Sequence, residues 1–210
     1  MLAVKLNESV VSAFGTPILQ ARLRSSETLN TELADYLRNE RERSPNSGMS
    51  VRGGWQSSKD LLERDHPALN RLKKHINDAV IHTTASHFGA PIDPKKCTIR
   101  GEMWGNITSN GGFTKVHNHG NSHWSGVYYV DVESYDRSRP ENGVIEFIDP
   151  RCFPTTLVHP KYSLLSAYTV RPENGMMLIF PGWLNHYVHP YWGERERISV
   201  AFNLMIRIDP

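Results

Sequence analysis

The stretch FTKVHNHGNSHWSGVYYVDV, residues 113–132, reads as two short strands, 113–119 and 124–132, around a polar turn. β-Branched and aromatic residues crowd both halves, which is strand composition. Residues two apart on a strand point the same way, so His117 and His119 can both face inward. In the second strand Trp124 and Tyr128 fall on the face opposite Tyr129 and are expected to be barrel packing.

Further strands are expected on either side: 97–107, 143–148, 164–170, 176–180, 185–189 and 197–206. SNGG (109–112) and the twice-used RPENG (139–143 and 171–175) read as hairpins or corners. Before Pro91 the pattern is different. FGTPILQARLR (13–23) alternates like a strand. Ser26 is placed to cap a helix to about Arg43, with Leu29, Leu33, Tyr36 and Leu37 as its buried stripe. Residues 44–64, with Gly53–Gly54–Trp55–Gln56, read as a loop or lid. Asp65 is placed to cap a second helix with Pro67 in its first turn, an inner face of Leu69, Leu72, Ile76, Val80 and Thr83, and Gly89 at its end. Two helices followed by about eight strands predict an α+β protein. Its core is a double-stranded β-helix, or jelly roll, at 97–206 with N-terminal supporting helices over 24–90, in a single domain over 1–210.

Composition narrows the function. A formal charge of +2 over 210 residues gives no electrostatic case for nucleic acid. The mixed-sign run Arg38–Arg43 reads as the solvated end of a helix. No apolar run approaches the ~20 residues of a membrane span. MLAVKLNESVVSAFG lacks a signal-peptide pattern, so a mature cytoplasmic protein is expected. Cys97 and Cys152 are expected as free thiols in a reducing compartment.

A lone His186, in PGWLNHYVHP, joins the H-x-H pair as a candidate third metal ligand. Imidazole is the usual neutral ligand of iron, copper, nickel and zinc, and distant strands lie side by side in a jelly roll. The competing reading is a histidine-rich surface hairpin. In RISVAFN, Arg197, Ser199, Ala201 and Asn203 share one face of a strand, while Ile198, Val200 and Phe202 share the other. A buried arginine needs an anion. A carboxylate gripped by Arg197 with help from Ser199 would supply it. The competing reading is a structural ion pair with Glu102, Glu146 or Asp149. Together these residues suggest an iron site that binds an organic acid.

The order H-x-H, SGVYYV, FPGWLNH, RISVAFN resembles the bacterial and phage family of 2-oxoglutarate/Fe(II)-dependent oxygenases related to the prolyl hydroxylases. The likeness covers about 97–206 and, more weakly, FGTPIL. It implies Fe(II) on His117, His119 and His186, with molecular oxygen and 2-oxoglutarate as co-substrates. It implies Arg197 and Ser199 on the distal carboxylate of 2-oxoglutarate. Tyr129 is expected on that same carboxylate and Asn106, in MWGN, as a further contact. Most of the wider superfamily uses H-x-D; this chain has His119 there. Three neutral ligands leave open a three-histidine cupin-type dioxygenase that uses no 2-oxoacid. A non-catalytic jelly-roll domain that binds a small acid is the other alternative. The substrate is expected to be a small molecule or a peptide side chain, and a homodimer is possible.

Lesser candidates are weighed against ordinary roles. His123 and His189 are expected not to ligate metal. Lys115 is either a substrate contact or a solvated edge lysine. Trp104 is a candidate for the pocket mouth. Trp183 and Leu184 are expected to bury a loop, and Arg151 to sit in a turn. His66, His75, His82, His87 and His159 are expected to be structural or surface residues.

Overall fold

The computed structural model describes residues 15–48, 50–151, 158–159, 162–163 and 167–209. The elements in chain order are β1 (Leu19–Arg22), α1 (Glu27–Arg43), β2 (Val51–Gln56), α2 (Pro67–Phe88), a 3-10 turn (Pro94–Lys96), β3 (Cys97–His117), β4 (Trp124–Asp131), β5 (Ile145–Ile148), β6 (Val158–His159), β7 (Tyr162–Ser163), β8 (Ala167–Val170), β9 (Met176–Pro181), β10 (His186–Val188) and β11 (Arg197–Ile208). One antiparallel sheet runs β1-β9-β4-β11-β3-β10-β5-β8, with β2 paired to β3 as well. The sheet curls. Gln20 on β1, at one end of that order, donates from its side-chain amide to the Tyr168 hydroxyl on β8, at the other end. This is the jelly roll expected from the strand pattern.

Alternation on β11 divides the interior in two. Ile198, Val200, Phe202 and Leu204 point to the helices and join Leu33, Leu37, Leu69, Leu72 and Ile76 in one core. Tyr129, Phe147, Leu178 and Phe180 form a second cluster inside the curl. Tyr128, beside Tyr129, faces the helices and donates to the Asn30 side chain at 2.6 Å. The expected stripes of α1 and α2 are buried: Leu29, Leu33 and Leu37, then Leu69, Leu72, Ile76, Val80 and Thr83. Tyr36 lies partly buried against the same core. Gly89 closes α2 in the left-handed conformation.

Four local expectations are corrected. SNGG does not end a strand, because β3 runs 21 residues through it. The backbone groups of Gly111 and Gly112 find partners on Tyr191, so no hairpin is needed to satisfy them. Residues 51–56, expected in a loop or lid, form β2 against β3. Their glycines serve close approach: a side chain on Gly54 would stand 2.6 Å from the Ile107 carbonyl, and Gly53 has φ +66. The cap of α2 is His66, whose ring accepts from the Ala68 N–H; the Asp65 carboxylate is engaged by Asn70 instead. Ser26 holds the cap position of α1 but makes no side-chain cap bond. Both RPENG segments are turns, each with a glycine at positive φ. The start of the 13–23 strand, part of 164–170, Cys152 and the His159 side chain lie outside the described residues.

Leu37 is fully buried, and its side chain lies over Gly105 of β3, where a methyl group would clash. Leu37→Ala should therefore cost about 2–5 kcal/mol, read as a lower urea midpoint. A loss under about 1 kcal/mol would show that α1 is not seated on the sheet through this contact.

Candidate metal centre

The three histidines meet where β3 ends. His117 is in register with His186 of β10, and His186 with Phe147 of β5. His119 follows two residues on, where its N–H donates to the Gly182 carbonyl at 2.7 Å. The ring centroids are 4.4 Å apart for His117 and His186, 4.9 Å for His117 and His119, and 5.4 Å for His119 and His186. One nitrogen from each lies within 4.8 Å of the others, close enough for the three rings to surround one ion. His117 Nδ1 lies 2.8 Å from the Lys115 carbonyl and His186 Nδ1 2.9 Å from that of Leu184. A carbonyl can only accept, so both Nδ1 atoms carry the proton and the Nε2 lone pairs are free to bind metal.

Electrostatics favours the neutral, metal-ready form. Burial pushes His186 down to about 3, helped by His117 and His119. Burial also pushes His119 down to about 4, helped by His117 and Lys59. His117 is lowered by burial too, against the opposing pull of the Lys115 carbonyl.

A row of polar side chains crosses four strands beside this cluster. Gln56 pairs with Asn106, Asn106 with Ser199, and Ser199 with Tyr129. Arg197, two residues before Ser199, shares its face, and all of these residues line one pocket with the three histidines. Arg197 is 5% exposed, Ser199 2% and Tyr129 0%. The guanidinium lies 5.2 Å from the centroid of the Tyr129 ring. Among the described residues it has no ion pair. Both its Nε and the Tyr129 hydroxyl are buried without a hydrogen-bond partner among those residues. Burial weighs against the charge on Arg197, and it raises the Tyr129 phenol to about 12 despite the cation beside it. A small carboxylate would satisfy every one of these groups. The alternative partners are engaged elsewhere: Glu102 with Lys59, Glu146 with His189, Asp149 with Arg151.

The structure thus brings His117, His119, His186, Arg197, Ser199, Tyr129 and Asn106 to one pocket. Trp104 lines the same pocket, with the Lys59 ammonium 5.1 Å from its ring. Lys115 is exposed and outside it. Leu184 is buried, whereas Trp183 is half exposed. His123 accepts from the Ile206 N–H, and His189 bonds Glu146. Gln56 was missed, since its pairing with Asn106 depends on a strand hidden in a glycine-rich segment. A wider groove lined by Arg22, Asp35, Arg38 and Arg195 carries mixed charge and none of the three histidines.

Residues 102–203 match the model of a family described as "Putative 2OG-Fe(II) oxygenase". Solved structures agree in fold. A prolyl 4-hydroxylase from Pseudomonas putida aligns at a TM-score of 0.60 and 16% identity, over 90% of this chain and 91% of that one. A prolyl hydroxylase from Trichoplax adhaerens, solved with a hypoxia inducible factor peptide fragment, aligns at 0.59 and 13%, over 89% and 83%. HygX from Streptomyces hygroscopicus, solved with nickel and 2-oxoglutarate bound, aligns at 0.58 and 14%, over 90% and 83%. No curated protein matches the chain.

The depressed histidines make acid stability testable. Below the ordinary value of 6.5 the unfolded chain takes up protons that the native site refuses, so native stability falls as pH drops toward the low folded values. In metal-free protein, His186→Gln should flatten the dependence of unfolding free energy on pH by about one proton between roughly pH 6 and 4. An unchanged slope in urea titrations would mean that His186 is not held neutral.

Proposed function

We propose that this chain is a 2OG-Fe(II) oxygenase, a hydroxylase with Fe(II) on His117, His119 and His186 and 2-oxoglutarate held by Arg197, Ser199, Tyr129 and Asn106. The observation that carries the reading is the Arg197 guanidinium, buried with no ion pair among the described residues in the same pocket as the three imidazoles. An isolated buried charge is costly by several kcal/mol, so the fold has use for a resident anion at this spot.

The donor set suits the metal. Three neutral imidazoles are compatible with Fe(II) and leave positions for a chelating 2-oxoacid. When bound, the iron and its co-substrate supply oxygen-dependent C–H hydroxylation, coupled to conversion of 2-oxoglutarate to succinate and carbon dioxide. The protein's part is placement. Arg197 offers a planar fork of donors to the far carboxylate, and Ser199 adds a hydroxyl from the same strand face. The Tyr129 phenol, held protonated by burial, can donate to the same group. Gln56 donates to the Asn106 carbonyl oxygen, leaving the Asn106 NH₂ as the end available to a ligand. Phe147 and Phe180 pack against the His186 ring and keep water from that side.

Substrate is expected at the open side, near Trp104 and Lys59, and is a small molecule or a peptide side chain, with molecular oxygen as co-reactant. We place the protein in a reducing compartment as one domain over 1–210; the free Cys97 thiol supports the compartment. No helix among the described residues is long and apolar enough to cross a membrane.

The test is oxygen-dependent succinate release. Arg197→Ala should raise the KM for 2-oxoglutarate at least about 30-fold, since removing one side of a buried charge pair costs 2–5 kcal/mol. His186→Ala should abolish release. An Arg197→Ala enzyme with unchanged KM would favour a three-histidine dioxygenase that needs no 2-oxoacid. Wild-type protein that binds 2-oxoglutarate but never releases succinate would favour a non-catalytic binding domain.

A further inference from the structure

The inner face of β11 carries another polar side chain, Asn203, in register with Ser125 of β4 and Glu102 of β3. Its amide lies 3.0 Å from His119 Nδ1 on one side and 2.8 Å from the Ser125 hydroxyl on the other. Ser125 is 3.3 Å from the Ser122 hydroxyl, which donates to the His119 carbonyl at 2.9 Å. The chain of hydrogen bonds leaves His119 through its ring and returns to its backbone.

The three imidazoles are therefore held differently. His117 and His186 lean on backbone carbonyls, which no side-chain substitution removes. His119 leans on a side chain with two unlike ends. As placed, the Asn203 nitrogen faces Nδ1, which makes Nδ1 the bare nitrogen and puts the proton on Nε2. That tautomer cannot ligate through Nε2. A half-turn of the amide leaves its heavy atoms almost in place and reverses the roles. The Asn203 oxygen then accepts from Nδ1–H, and its NH₂ donates to Ser125. Ser125 in turn can donate to Ser122, while Ser122 still donates to the His119 carbonyl. Every group stays satisfied, and Nε2 is freed.

We propose that Asn203 is the positioning residue for the third metal ligand: with its carbonyl toward His119 it selects the Nδ1–H tautomer, and Ser125 and Ser122 hold it there. The inference rests on the reading of the three histidines as metal ligands. It accounts for why an amide, rather than an apolar residue, stands at this inward position of β11.

Direct titration with Co(II), followed by its visible absorption, tests this without turnover. Asn203→Ala should weaken binding about 10–100-fold, the usual effect of losing a partner behind a metal-bound histidine. Asn203→Asp, whose carboxylate can only accept, should bind within roughly threefold of wild type or more tightly. Nitrogen-15 NMR of the metal-free protein provides a second readout. The His119 proton should sit on Nδ1 in the wild type and in Asn203→Asp. Should Asn203→Ala fail to fold, the wild-type spectrum still decides. An Asn203→Ala affinity within about threefold of wild type, or a wild-type His119 protonated on Nε2, overturns the proposal. Wild-type protein that fails to bind Co(II) would overturn the metal reading beneath it.

Discussion

A guanidinium enclosed by protein is the constraint around which this interior is arranged. Arg197 opens β11, the strand that packs against both β3 and β4. Its charge is buried, and no carboxylate among the described residues pairs with it. The carboxylates that the sequence offered as partners, Glu102, Glu146 and Asp149, are tied to other cations or to His189. An electropositive recess with hydroxyls at hand is what remains, and a small dianion answers it. Three neutral imidazoles at the other part of the pocket match this logic. A carboxylate in place of His119 would put a negative charge near the metal. With imidazole there, an ion keeps its full charge, and the anions that balance it must come from ligands.

Much of this was legible in the sequence because two periodicities carry it. The alternation in RISVAFN separated the helix-facing residues from Arg197, Ser199 and Asn203; Ile198, Val200 and Phe202 enter the core under the helices, while Arg197 and Ser199 line the pocket. The two-residue spacing of His117 and His119 could only be trusted once His186 was seen in register with His117, a pairing between residues 69 apart that periodicity does not reveal. The helix stripes were equally clear, since Leu33, Leu37, Leu69 and Leu72 repeat at helical spacing.

Most of what escaped had a common cause: the relevant partner lies far away in the chain. The glycines of β2 look like a hinge until β3 is seen to press against them. SNGG looks like a turn until Tyr191 supplies its hydrogen bonds. Asp65 is a better cap by type than His66, but the Asn70 side chain takes its carboxylate. Asn203 was placed on the correct face without a role, because its role is set by the ring of His119, 84 positions earlier.

β3 is the spine of the site. One strand holds Trp104, Asn106 and Thr108 at the Arg197 end of the pocket and His117 at the histidine end, with three different strands zipped to it. β2 pairs along it from Asn106 to Thr114, with a register shift between Arg52 and Gly54, and ties its two ends together. Asn106 and His117 stand an odd number of residues apart yet line one pocket, so the register shifts between them are what turn His117 inward. Diversification of this scaffold is thereby confined to exchanging side chains along that strand and to lengthening the loops beyond it, so novelty in chemistry and novelty in substrate choice must be sought in separate parts of the chain.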